Sequence, residues 1–341
     1  MSNILNISNT LDTLNSPPIY KTYYDDYVKA TYGIDNEMID VTKLVHEKLI
    51  KHNNLIIPSN CNFNEYFADH VPGKIKFLIL EINNKKHILR EGKIVNEITY
   101  PIDIYYKKIT IVYYAYINIS NNWEIIISDQ LIHLNKCGLL DVAEIYVHVT
   151  GEEEYHEYAK QLIRTIIPNV TIYTSIINQY EYPGIHLVWQ LAHEKPNNLF
   201  LYFHSKGMSY YTMDRRHDEK QIFQEVILPW KKVLDIFNTF NQTDNRVQLI
   251  NKAGVGSSDK GFMWFNFWWA RGSYLIECEE PIINDDRWYY EEWISKKLPN
   301  TPISTVNECY SLTDNVFNKI YDATDICNKI DSVILQNNAE F

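Results

Sequence analysis

A chain of 341 residues has room for about two domains of roughly 150 residues each, and can bury about three quarters of its unfolded surface without disulfide or metal staples. Hydrophobic residues at 45% and charged residues at 22% exclude both a disordered tail and a membrane bundle. The net charge of −11 excludes the broad basic surface of a nonspecific nucleic-acid binder, but leaves room for a small cationic pocket that holds a phosphorylated ligand.

Residues 1–21 read as a disordered or extended terminus that closes on Pro17-Pro18, with no cationic stretch leading into an apolar segment as a signal peptide has. Residues 22–105 read as a small β-rich accessory domain. Asp40 to Lys51 has helical apolar spacing, Leu55-Ile56-Ile57 follows, and Ile75–Ile82 and His87–Ile98 read as strands joined by Asn83-Asn84-Lys85-Lys86.

From Ile109 the pattern becomes regular. Strands are predicted over Ile109–Ile117, Glu144–Val149, Val170–Thr174 and Leu199–Phe203, with helices over Trp123–Leu134, Tyr155–Ile167 and Ile185–Glu194 between them. Such alternation indicates right-handed βαβ units and a mainly parallel sheet flanked by helices, spanning 106–341. Ligands of these sheets bind beyond the carboxyl ends of the strands. Lys220 to Phe240 reads as a long helix broken at Pro229. The longest apolar run, Ile109 to Ile119, is about half of the ~20 residues a spanning helix needs. The five cysteines are scattered with no CxxC pair, which reads as free thiols in a reducing compartment, and a cytoplasmic protein is expected.

The common ligands of α/β sheets are excluded in turn. The first βα loop, Tyr116-Ile117-Asn118-Ile119-Ser120-Asn121-Asn122, has no glycine for a dinucleotide pyrophosphate, and no GxxxxGK[ST], GxSxG or HExxH string exists. Gly254-Val255-Gly256 with Gly261 reads as a turn. His148, Glu152, Glu153, Glu154 and His156 read as an acidic loop opening a helix rather than a metal site.

Three segments remain. His204-Ser205-Lys206-Gly207 ends the fourth predicted strand, where His204 and Lys206 share a face and suit a diphosphate. Trp264 to Arg271 holds an Asn inside an aromatic run, which fits a core strand or a pocket wall. Asp285 to Trp293 reads as a helix start, and its acids fit either the dipole or a general base among aromatics.

Together, HSKG at 204–207, NFWWAR at 266–271 and RWYYEEW at 287–293 resemble a group of GT-A-type glycosyltransferases. Members occur in bacterial polysaccharide synthesis and in large DNA viruses, and for a viral chain the compartment would be the host cytoplasm. The resemblance spans roughly 107–300 and includes Asn122-Trp123, Gly138-Leu139 and Tyr180-Glu181-Tyr182-Pro183. It implies a GT-A-like, Rossmann-like sheet preceded by the small β-rich domain. It also implies transfer of a sugar from a nucleotide-diphosphate donor, UDP-sugar first, to a hydroxyl of a glycan or glycoprotein, with inversion. Carried over, His204 and Lys206 face the diphosphate, and Tyr116, Asn118 and Glu181 approach the nucleoside. Asn266, Trp268, Trp269 and Arg271 line the sugar or acceptor pocket, Glu291 is the base, and Lys206 stabilises the leaving group.

The usual DxD pair for Mn²⁺ or Mg²⁺ is replaced here by HSK, so His204 with Asp214 is the remaining candidate for a cation. The alternative function is a non-catalytic module binding carbohydrate or nucleotide sugar. The N-terminal part, from Ala30-Thr31-Tyr32-Gly33 through Asp69, Gly73 and Lys76, loosely resembles a module found in some J-domain proteins, which implies protein interaction or oligomerisation there.

Overall fold

The structure is a computed structural model that describes residues 28–34, 36–51, 54–83, 85–102, 108–205, 216–238, 241–243, 246–248 and 250–330. The expected terminus 1–21 lies outside the described residues. The chain divides into two compact units between Ile104 and Tyr105.

The first unit holds β1 (Val28–Ile34), β2 (Glu37–Asp40), α1 (Thr42–Leu49), β3 (Ile50–Lys51), β4 (Asn54–Ile57), α2 (Phe63–Phe67), β5 (Phe77–Ile82), β6 (Lys85–Arg90) and β7 (Ile98–Pro101). They form an antiparallel sheet β2-β1-β5-β6 and a smaller antiparallel sheet β3-β4-β7. The β5–β6 turn is tighter than the spacing suggested: Asn83, at φ 52°, turns the chain so early that Lys85 already pairs with Ile82. β6 ends at Arg90 because Gly92, at φ 71°, turns the chain there. Tyr32, Phe63 and Phe67 pack ring to ring in the core. Beside them, buried Lys76 pairs with Asp69 (2.7 Å) and Glu91 (3.7 Å), and Tyr32 Oη donates to Asn64 Oδ1 (3.0 Å) and Glu91 Oε1 (3.1 Å). Tyr32, Asp69 and Lys76 of the loose N-terminal resemblance are therefore parts of one polar cluster around the buried Lys76 ammonium.

The second unit runs β8 (Ile109–Tyr116), α3 (Trp123–Lys136), β9 (Ala143–Thr150), α4 (His156–Ile166), β10 (Thr171–Ser175), α5 (Tyr182–Glu194) and β11 (Leu199–His204). It continues with α6 (Arg216–Val226), α7 (Trp230–Asn238), the hairpin β12 (Asn241–Thr243) and β13 (Arg246–Gln248), β14 (Lys252–Gly254), β15 (Trp268–Arg271) and α8 (Gly272–Leu275). Last come α9 (Trp288–Glu292), β16 (Cys309–Ser311) and β17 (Val316–Phe317). Strands and helices alternate where periodicity placed them, and Pro229 separates α6 from α7.

The main sheet has eight strands in the order β10-β9-β8-β11-β15-β14-β16-β17. The four strands β10-β9-β8-β11 are parallel, while β15 runs antiparallel to both β11 and β14. The unit is thus mixed α/β with a parallel core and a mixed flank, in which β14 and β16 pair in parallel and β16 and β17 antiparallel. Both faces of β8 and β11 are covered, which is why they read as near-continuous apolar runs. Gly254 lies in β14 rather than in a turn, and the turn falls at Gly261, φ 80°. No helix among the described residues is long and apolar enough to cross a membrane.

Candidate functional site at the parallel strand ends

The chain leaves β8 toward β9 on one side and returns to β11 on the other, so β8 and β11 are neighbours whose connections diverge. Divergence of this kind is where α/β sheets bind ligands, beyond the carboxyl ends of the strands. Two hydrogen bonds, one backbone and one to a side-chain hydroxyl, stitch these ends together. Ser205 N donates to Tyr114 O (2.9 Å), and Tyr116 N donates to Ser205 Oγ (2.8 Å). Ser205 was not singled out in the sequence, since a serine between His and Lys carries no signal until the neighbouring strand is known.

Register puts Val112, Tyr114, Tyr202 and His204 on the sheet face covered by α5. Gly184 lets that helix sit close, because a Cβ there would lie 2.7 Å from Tyr114 Cβ. One turn earlier the same helix delivers Glu181. His204 Nε2 lies 3.4 Å from Glu181 Oε1 and 3.3 Å from the Phe265 carbonyl oxygen. Both neighbours are acceptors, which assigns the proton to Nε2. The other Glu181 oxygen accepts from Asn266 Nδ2, and Asn266 Oδ1 accepts from Trp268 Nε1 at 2.7 Å. An indole N–H only donates, so Trp268 fixes which way the Asn266 amide points. The chain Trp268–Asn266–Glu181–His204 thus aims two hydrogen-bonding side chains at one carboxylate. Burial, with the Glu181 charge added, holds the phenols of Tyr202 and Tyr114 well above their ordinary range, so both stay neutral.

Some expected wall residues lie elsewhere. Trp268 and Trp269 are fully buried in β15, so neither offers a face to a sugar. Trp269 Nε1 donates to Val226 O (2.7 Å), on the opposite side of the sheet from Trp268. Arg271 is 1% exposed and pairs in register with Leu199, at the amino end of β11. That is about 17 Å from His204 at ~3.3 Å per residue. Its Nε donates to Ile250 O (2.6 Å) and its guanidinium lies over the Phe237 ring, so it anchors structure. Tyr116 ends β8, and Asn118 lies in the loop that follows, where its Oδ1 accepts from Ser120 N (3.1 Å). Lys206 and Asp214 lie outside the described residues.

Glu291 rides on α9, which packs against the 264–266 turn that also touches the end of β11. Tyr290 ties this helix to the loop before it, accepting from Asn284 N (2.8 Å), and its ring lies 6.5 Å from that of Tyr180. Trp293 is buried and donates to Glu279 O (2.9 Å). The neighbouring Glu292 is held at the surface by Lys260 (3.0 Å).

Among the described residues no three His, Cys, Asp or Glu side chains gather as a metal site requires. His204 and Glu181 supply one imidazole and one carboxylate already engaged with each other, a poor set for a hard cation. His148 bonds Ser175 Oγ (3.1 Å) while His156 bonds Gly151 O (3.0 Å), so these two histidines serve different loops.

No family model matches the chain, and no curated protein does. Three solved chains match. One is a candidate nucleotide-diphospho-sugar transferase from Desulfovibrio desulfuricans G20, 11% identical with a TM-score of 0.30, over 68% of this chain and 98% of that one.

Proposed function

We propose that the second unit is a glycosyltransferase that moves a sugar from a nucleotide-diphosphate donor to a hydroxyl of a glycan or glycoprotein. The observation that carries this reading is the meeting of His204, Glu181 and Asn266 at the divergence of β8 and β11. The three strings HSKG, NFWWAR and RWYYEEW contribute His204, Asn266 and α9 to the surroundings of one strand end, and that supports the resemblance drawn from them.

In this reading the donor diphosphate lies against His204 and Lys206, with Tyr116 and Asn118 toward the nucleoside; UDP is the first base to test. Glu181 and Asn266 hold the imidazole in place. Glu291 takes the proton of the acceptor hydroxyl as its oxygen attacks the anomeric carbon from the side opposite the diphosphate. The anomeric carbon–oxygen bond to phosphate breaks, the departing diphosphate keeps the electron pair, and configuration inverts. The Lys206 ammonium faces the charge that develops there, and His204, held by Glu181, lines the same strand end.

Replacing Glu291 by Gln keeps shape and removes the base. Transfer is expected to fall by about 10²–10⁴-fold with donor affinity retained, as removal of a general base does. Transfer at the wild-type rate would remove Glu291 from the mechanism. A wild-type chain that binds a nucleotide sugar and transfers nothing would point to the non-catalytic module instead.

A further inference from the structure

Among the described residues nine non-glycine residues adopt positive φ: Asn60, Ala68, Asn83, Tyr180, Phe265, Asn266, Asn300, Asn315 and Asn318. Asparagine tolerates this region because its short side chain bonds locally, and it fills six of these positions. Tyr180 (φ 52°) and Phe265 (φ 68°) are the two bulky residues of the set, and bulky side chains in this region are strained. Each immediately precedes one partner of the Glu181–Asn266 hydrogen bond.

If the fold needed only the backbone shape, Gly or Asn would supply it without strain, as Asn does elsewhere in this chain. What Tyr and Phe add is a ring beside the site. Tyr180 is 44% exposed and Phe265 is half-buried, while Trp268 and Trp269 are sealed in the core. Phe265 also turns its carbonyl oxygen to His204, and Tyr180 stands next to Tyr290, which precedes Glu291. Aromatic faces of this kind take the apolar C–H face of a pyranose. Resting on the glycosyltransferase reading, we propose that Tyr180 and Phe265 are the specificity-determining faces on which this site receives a sugar ring, of donor or of acceptor.

Glycine variants test this because they preserve the backbone and remove only the ring. Tyr180→Gly and Phe265→Gly, with Tyr180→Asn and Phe265→Asn as second forms, are compared with wild type in thermal unfolding. Calorimetry then measures UDP-glucose, GDP-mannose and dTDP-glucose against the bare nucleotides, and transfer kinetics are run on soluble oligosaccharides. The expected result is a melting temperature within about 3 °C of wild type and bare-nucleotide affinity unchanged. Either the sugar-nucleotide Kd or the acceptor KM rises about tenfold, the first marking a donor sugar and the second an acceptor, with kcat within about threefold. Tyr180→Phe and Phe265→Tyr retain wild-type values.

Unchanged Kd and KM in both glycine variants would overturn the proposal. So would a melting temperature lowered by more than about 6 °C in both the Gly and Asn forms, since the rings would then belong to the fold. Failure of wild type to bind or turn over any sugar nucleotide bears on the glycosyltransferase reading itself. The melting comparison tests the strain argument independently of that result.

Discussion

His148 shows how much one buried side chain sets the response of this unit to acid. Its ring lies on β9 against Tyr173, and burial, with the charges of His156 and His186 added, pushes its pKa down to about 4 from 6.5. The unfolded chain therefore takes up this proton near pH 6.5 and the folded one only near 4, so the unfolded state binds more protons in between. The contribution of His148 to stability is complete above about pH 6.5 and is lost as pH falls toward 4, at up to about 1.4 kcal/mol per pH unit. Urea titrations across that window should give a steeper pH dependence for wild type than for His148→Gln, and equal slopes would remove His148 as the cause. At this scale the sequence marks HSKG as a candidate string, of which the structure describes His204 and Ser205. Glu181 was marked for the nucleoside, but its partners His204 and Asn266 lie 23 and 85 residues further along the chain, and they meet only because α5 packs on β11 and β15 pairs with it. For Trp268, Trp269 and Arg271 the residues alone fit core or wall, and the wall role is what the resemblance implies. Their place in β15 turns them into core instead.

At the scale of elements, buried Lys252 joins the mixed flank, where β14 and β16 pair in parallel. Its Nζ donates to Tyr274 Oη (2.9 Å) and Ser304 Oγ (2.7 Å) and pairs with Glu308 (3.2 Å), linking β14 to the turn that leads into β16. Burial alone would raise the Glu308 carboxyl, but the Lys252 ammonium and the Asn251 amide hold it below the usual range. Replacing Lys252 by Met strands that carboxylate, and chemical denaturation should show a loss of about 3–5 kcal/mol. Adding Glu308→Gln should restore most of it, whereas an additive double variant would mean the two do not act as a pair. The parallel half was legible because each strand and helix is long enough to show its period, and Pro229 marked its break. The flank was not legible. β14, β16 and β17 are two or three residues long, too short for any period, and β15 is a run of aromatics with no alternation to read.

For the whole molecule, the contacts divide the chain between Ile104 and Tyr105. Each unit has a core of its own: Tyr32, Phe63 and Leu80 in the first, Val112, Val188 and Trp268 in the second. The central claim concerns the second unit, where a nucleotide-sugar diphosphate is proposed to bind at the diverging ends of β8 and β11. The measurement that tests it most directly is thermal unfolding of the full chain against UDP-, GDP-, dTDP- and CMP-sugars, with Mn²⁺, Mg²⁺ or EDTA, on wild type and His204→Ala together. One nucleotide class is predicted to raise the wild-type transition, since a ligand at about 100 times its Kd stabilises by about 2.7 kcal/mol, and His204→Ala should lose that shift. No shift with any class, or a shift of equal size in His204→Ala, would contradict the assignment of the donor to these strand ends.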